Sequence, residues 1–414
     1  MQDSCVKFYG YFLSRYEAMK TPTIKMSAIL ALLFASTGAF SASLYKDLSS
    51  SYQGNDQLSD SPKVKSFLAK EGTVLNGPFP YRMNIFTQGS TQKNDAGVRV
   101  SEDAKQIKQN TFGQVFYYEL FPSAMRVPHW HANGNEVGTV TSGRMRVEIW
   151  EKNDKPSIYY VEPGQTWFIP KGKLHSLENV GQDQLKFIVV YDQPVTADRD
   201  FVTAWASLSD AVLAKSVGLT EADISHIKKT TFNKLSNFEQ KIQLEPENDP
   251  RRYKSDLNTI KPMVSSDSGS IVRLDGAINK NLGKTALQKT VLNPGAMRVP
   301  HWYLSGDVLL YVNNGVGYFT MMDDDGVVYH RLVRRGDLVS VPVGQFSGYI
   351  NVGKEKLEVY EAFFNLGETG EITLLSGSQE FNDDILRGTT GISQDAANRL
   401  KAQPKQDMVV PFFD

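Results

Sequence analysis

The 414-residue chain holds one cysteine, Cys5. That excludes a disulfide framework and a thiolate zinc site, so a metal would have to be held by His, Asp and Glu. Histidine is scarce as well, six in all, so three of them close together carry information. An excess of one charge is also missing: 45 Lys and Arg stand against 46 Asp and Glu, with no long block of either sign. Nothing in that balance favours nucleic acid or an anionic membrane as partner. The apolar run from Met26 to about Phe40 is about fifteen residues, too short for a membrane span.

That run belongs to "MKTPTIKMSAILALLFASTGAFSAS", residues 19–43, in which Lys20 and Lys25 precede it and the small residues Ala39 and Ser41 follow. Basic, apolar and small-residue regions in this order are those of a secretory signal, here with a cut near Ser41 or Ala42. The 18 residues ahead of Met19 fit a start codon set too early. Residues 1–42 are therefore expected to be a targeting segment, and the mature protein secreted or periplasmic, with no membrane attachment after cleavage. An N-terminal anchor or a buried helix is the alternative. Cleavage would remove Cys5 and leave no thiol, which suits an oxidising compartment.

What the chain does contain is a repeat. "AMRVPHWHANGNEVGTVTSG" at 124–143 returns as "AMRVPHWYLSGDVLLYVNNG" at 296–315. His129 matches His301, Gly143 matches Gly315, Gly164 matches Gly336, Pro170 matches Pro342, and Asn179-Val180-Gly181 matches Asn351-Val352-Gly353, all 172 residues apart. A gapless register over about sixty residues requires the same strands and turns twice, hence two tandem domains of one fold. Their expected limits are 76–225 and 266–395. They are set off by a polar linker at 43–75, a second at 226–265 that includes "EPENDPRRYKSD", and a tail at 396–414.

Inside each copy, short runs such as "FGQVFYYELFP", "RMRVEIWE", "LKFIVVYD" and "KLEVYEAFF" are rich in Val, Ile, Phe and Tyr. Gly, Pro, Asn and Asp separate them every eight to twelve residues, the spacing of an antiparallel β-sandwich or barrel. A helical pattern appears mainly after the first copy, where Thr220 with Glu221 and Asp223 can cap a short helix.

Two histidines one residue apart on a strand, His129 and His131, point to the same face. Glu136 can return from the next strand, and His175 can close the set. Three imidazoles and one carboxylate are good donors for a first-row divalent ion and leave two octahedral positions open. An HxH pair alone is weak, and a lone His in a β-barrel is usually a hydrogen-bonded core residue. The spacing is stronger. HxHx4E is followed after six residues by Gly143; Gly164 is followed by Pro170, Gly172, His175 and Asn179 at intervals of five, one, two and three residues. In this the chain resembles the cupins, and with two copies a bicupin: all-β, two tandem jelly-roll β-barrel domains with short helical linkers. Ser123 departs from the motif, which has Gly, as the second copy does at Gly295. The second copy reads His301, Tyr303, Val308 and Ser347 at the ligand positions, too few donors for a metal. It is expected to support the first domain, with a small pocket lined by His301, Tyr303 and Ser347 as a further option.

Among bicupins the chain resembles the oxalate decarboxylase family, from about Gly97 onward. "RVPHWH" is similar to that family's Arg-x-x-His-Trp-His, which implies Arg126 as the substrate-binding arginine. The resemblance also implies manganese(II), with iron(II) as alternative, dioxygen as co-catalyst, and oxalate as a dicarboxylate substrate split to formate and carbon dioxide. It implies a homo-oligomer, trimer or hexamer. In the family a Glu on a lid after the first barrel, within a Ser-Glu-Asn-Ser run, donates the proton. Here "YDQPVTADRDF", 191–201, lacks that run, and Asp198 is the nearest carboxylate, with Asp200 second. An oxalate oxidase, another cupin dioxygenase on a small carboxylic acid, and a non-catalytic binding or storage bicupin are the competing readings. Arg298, retained beside the second copy's lost site, allows a purely structural role for Arg126 as well.

Overall fold

The structure is a computed structural model that describes residues 57–413, apart from 103, 153–154, 226–233, 239–241, 249, 368–369 and 405–407. The expected targeting segment at 1–42 lies outside the described residues. Among the described residues no helix is long and apolar enough to cross a membrane.

The strands form four sheets, two in each repeat, and every pairing is antiparallel. In the first repeat a seven-stranded sheet runs from Lys254–Asp256 through Gln165–Ile169, Glu136–Ser142, Leu185–Tyr191, Gln114–Leu120 and Gly97–Ser101 to Ser90–Asn94. The sheet facing it contains Asp198–Asp200, Ala124–His131, His175–Asn179, Met145–Ile149 and Ser157–Val161, with Leu235–Asn237 on the second of these. The second repeat has the same two sheets in the same order. The expected all-β, jelly-roll arrangement is what the chain forms, as facing sheets rather than closed cylinders.

Alternation explains the packing. Along Leu185–Tyr191, residues Leu185, Phe187, Val189 and Tyr191 join the interior cluster with Phe116, Tyr118, Val147, Trp167 and Leu177. Lys186, Ile188 and Val190 point the other way and are buried too, so the outer face of this sheet is covered. Phe112 on Phe364 (ring centroids 5.5 Å apart) and Phe86 against Gly336 tie the repeats together.

The repeats also exchange strands. Arg82–Asn84, just ahead of the first repeat, pairs with Asp337–Val341 of the second, Arg82 opposite Val339. Lys254–Asp256, at the same place ahead of the second repeat, pairs with Gln165–Ile169 of the first, Lys254 opposite Trp167. Both partners in these pairings differ by 172, so the exchange is reciprocal and in register. Residues 82–84 thus lie in a sheet of the second repeat, and 254–256, in the stretch expected to be a linker, form an edge strand of a sheet of the first. Sequence gave no sign of it because an edge strand of three residues has no periodicity to read.

The turn glycines repeated in both copies are explained by close approach. At Gly143 and Gly315, φ is +84° and +85°, and a Cβ would fall 2.8 Å from Leu185 Cα and 2.7 Å from Lys356 O. Ser123 takes the same left-handed conformation (φ +63°) that Gly295 takes at +82°. Thr220 and Asp223 form the expected capping box on Glu221–Ile224.

Asn179 and Asn351 act as identical clamps. The Asn179 side-chain NH2 donates to Leu120 O, Phe121 O and Asp183 O at 2.9–3.0 Å, and its Oδ1 accepts from Gly181 N–H. Asn351 repeats this on Leu292 O, Glu355 O and Gly353 N–H. Either Asn→Ala change would strand several buried backbone groups and is expected to cost about 2–4 kcal/mol, alike in both repeats, by denaturant unfolding.

Candidate metal centre

The strand Ala124–His131 places His129 and His131 on its inner face, and the adjoining strand sets His175 directly opposite His129. Glu136 opens the next strand, which belongs to the facing sheet. The turn between them, exposed at Ala132 and Asn133, passes to the facing sheet and sets the carboxylate beside the imidazoles. The four donor atoms lie within 4.8 Å of one another, and all four side chains are buried. Among the described residues this is the one such group.

Hydrogen bonding fixes the imidazoles. His129 Nδ1–H donates to Val127 O (2.7 Å) and His175 Nδ1–H to Lys173 O (2.9 Å), because a carbonyl can only accept. Each ring is thereby left with an Nε2 lone pair. His131 Nε2 and His175 Nε2 lie 2.9 and 3.3 Å from Glu136 Oε2, and His175 Nε2 makes no hydrogen bond. Burial, then the charges of Arg126 and the other imidazoles, hold His129 well below its ordinary pKa, and burial lowers His131. Burial pushes Glu136 upward, but the His175 and His131 imidazoles outweigh it and keep its carboxyl far below the usual range. Three imidazoles and one carboxylate are donor types a divalent ion takes, so donor set and orphaned His175 nitrogen both fit one.

The second repeat keeps the scaffold and loses the donors. His301 stands opposite Ser347 as His129 does opposite His175, and its Nδ1–H donates to Val299 O (2.8 Å). Tyr303 and Val308 fill the other ligand positions and are buried. At the place of Val189 this interior carries Glu361, which accepts from Tyr349 OH (2.8 Å) and Gln288 Nε2. Burial raises the Glu361 pKa.

The two residues expected to handle substrate do not stand free. Arg126 is fully buried, its Nη1 2.6 Å from Asp200 Oδ1 and its Nη2 2.6 Å from Asp198 Oδ1. Asp198 also meets Lys234 Nζ at 2.8 Å, and Lys234 reaches Asp200 at 3.1 Å. Asp198 does not sit on a loop. It lies in a strand, opposite His131, and although burial raises its pKa, Arg126 and Lys234 hold it far below the carboxylate range. The segment ahead of it is pinned: Asn133 Oδ1 accepts from Ala197 N–H (2.7 Å), and Asp192 accepts from the Asn135 backbone and side chain (2.7 and 2.6 Å). The second repeat holds a pair of the same kind. Arg298, equally buried, is held by both oxygens of Glu371 (2.7 and 2.6 Å), which stands opposite Tyr303 as Asp198 stands opposite His131. The arginine–carboxylate pair persists where the metal donors are gone, so it can hold the strand with no metal beside it. Sequence reasoning noticed that Arg298 persists but could not locate Glu371, which is one residue out of the 172 register.

A jelly-roll domain with three imidazoles and one carboxylate facing inward offers a donor set that could hold a metal ion, and the second repeat lacks that set. The cupin family model matches residues 83–225 and again 255–397, so the chain belongs to the cupin family and is a bicupin. It is 27% identical over 252 residues to the oxalate decarboxylase OxdC of Bacillus subtilis (strain 168), covering 59% of this chain and 65% of that protein, just under two thirds of its length. To the oxalate decarboxylase of Arthroderma benhamiae it is 22% identical over 320 residues, covering 68% and 73%. Germin-like protein 3-5 of Oryza sativa subsp. japonica is 28% identical over 141 residues, 33% of this chain and 62% of that one. The structure of the Bacillus subtilis oxalate decarboxylase at pH 4.6 superposes with a TM-score of 0.71 at 20% identity, over 82% of this chain and 90% of that one. Another structure of that protein, with the same TM-score of 0.71, is described with Mn(II) centres.

Two predictions test the site. Metal analysis of manganese-loaded protein should find one ion per chain, lost with His131→Ala and retained with His301→Ala. Glu371→Ala removes the carboxylate bonded to Arg298 and should cost about 3–5 kcal/mol in urea unfolding. Asp198→Ala, which leaves Asp200 on Arg126, should cost less.

Proposed function

We propose that this bicupin is a manganese-dependent enzyme that degrades oxalate at its first barrel, as a carboxy-lyase giving formate and carbon dioxide. The observation that carries the reading is the buried His129–His131–Glu136–His175 set beside a cluster with surplus positive charge. Arg99, Arg126 and Lys234 bring three cations to the carboxylates of Asp198 and Asp200. Beside a divalent ion, that surplus favours a small anion in a low-dielectric interior. The similarity to proteins named oxalate decarboxylase supports oxalate as that anion and manganese(II) as the ion. Iron(II) is the alternative, because the donor types do not separate the two.

His129, His131 and His175 would hold the ion through Nε2 and Glu136 through one oxygen. When bound, the ion supplies Lewis acidity and, with dioxygen, one-electron redox capacity toward the substrate's C–C bond. The chain's own residues supply the rest. Burial excludes water, and the paired cations steady the substrate's charge. In decarboxylation the hydrogen oxalate anion becomes formate and carbon dioxide: the C–C bond breaks, a C–H bond forms, and a proton must reach carbon.

That last requirement favours a second reading. The carboxylates in 191–201 are Asp192, Asp198 and Asp200, and each is already bonded. In oxidation, oxalate, dioxygen and two protons give two carbon dioxide and hydrogen peroxide, and carbon needs no proton. The proposal also makes the mature enzyme secreted or periplasmic, supported by the order of residues 19–43, and a trimer or hexamer. N-terminal sequencing of exported protein should begin near Ala42 or Ser43, and light scattering should give three or six times the chain mass. The deciding test is carbon-13 NMR of labelled oxalate with manganese-loaded protein in air at mildly acidic pH, beside a peroxide assay. Formate is the expected product. Peroxide without formate selects oxidation, and unchanged oxalate overturns both readings.

A further inference from the structure

Glu136 is held from two sides. Its Oε2 faces His131 and His175, whereas the indole N–H of Trp167 donates to Oε1 at 2.7 Å. Trp167 is fully buried on Gln165–Ile169, where its backbone partner is Gly138, two residues after Glu136. The indole lies across that glycine: a Cβ at Gly138 would fall 2.2 Å from the ring. Gly138 is not among the residues with positive φ, so what glycine supplies here is room, not backbone freedom.

A carboxylate can bind a metal through one oxygen or through both. We infer that Trp167 is a positioning residue that holds Oε1 of Glu136 away from the donor cluster, so that Glu136 offers a single oxygen, and that Gly138 is the gap admitting the indole. The inference rests on the first barrel being a metal site and not on the identity of the substrate. Three imidazoles and one carboxylate oxygen leave two of six octahedral positions open, where a bidentate carboxylate would leave one. The second position is what a reaction joining an anion and dioxygen at one centre would need.

The second repeat supplies the comparison. Positions 136, 138 and 167 become Val308, Leu310 and Val339, with Leu310 opposite Val339 in the same register. All three are buried. Where there is no carboxylate to hold there is neither indole nor gap, and Leu and Val fill the space from both strands. A tryptophan needed only to fill the barrel would have no reason to disappear together with the carboxylate it touches.

The test uses manganese(II) as the probe. Trp167→Phe keeps most of the ring volume and removes the N–H; Gly138→Ala keeps the N–H and takes away its room. Both variants and the unsubstituted protein are titrated with manganese(II) against a chelator, and EPR spectra are recorded at full loading. Loss of one such outer hydrogen bond typically weakens metal binding about 10–100-fold. Trp167→Phe is expected to bind one ion per chain with affinity reduced by about that factor, and both variants should shift the zero-field splitting in the same direction. Unchanged affinity with a superimposable spectrum in a folded Trp167→Phe protein overturns the inference. Should that variant not fold, an unshifted spectrum in Gly138→Ala does the same. Unsubstituted protein that takes up no manganese overturns the metal reading itself, and this inference with it.

Discussion

In both barrels the strand carrying the histidine positions also carries an arginine with no exposure to water, Arg126 in one and Arg298 in the other. A guanidinium in that position has to be neutralised inside the fold or the strand cannot stay there. Asp198 and Asp200 do this in the first repeat and Glu371 in the second. Meeting that charge draws the segment after each barrel onto the outer side of the histidine strand, as Asp198–Asp200 and Glu371–Thr373. The alignment of His129 and His131, the closure of that sheet's edge and the fixed course of residues 191–201 all follow from it.

The repeat separates what the barrel needs from what the chemistry needs. Both copies keep the buried arginine pair, the asparagine clamp on the turn, and the glycines packed against neighbouring backbone. Only the first has three imidazoles, Glu136, and the indole on Glu136's other oxygen. The second replaces these with Tyr303, Val308 and Ser347, and places Glu361 among hydrogen-bond donors where the first has Val189. A buried carboxyl that burial pushes toward its neutral form, held by a tyrosine and a glutamine, keeps this interior polar without an ion.

Much of this could be read before any coordinates. Strand alternation and a short turn, both local, put His129, His131 and Glu136 together, and the resemblance to the cupin spacing added His175. The offset of 172 gave two copies of one fold for the same reason. Trp167 and Gly138 were overlooked, although comparing the copies position by position would have marked them: both change where Glu136 changes. The strand exchange of Arg82–Asn84 and Lys254–Asp256 left no mark, since three residues at a sheet edge carry no period.

The residues alone thus pointed to fold class and repeat through local alternation and strict repetition, and to the metal-donor set through its resemblance to the cupin spacing. Only the folded chain could assign Arg126 and Asp198 to each other. They are 72 residues apart, and whether a carboxylate meets a substrate or a buried arginine depends on which strand edge it docks against. That docking is set by charge neutralisation across the sheet, and neither residue type nor spacing records it.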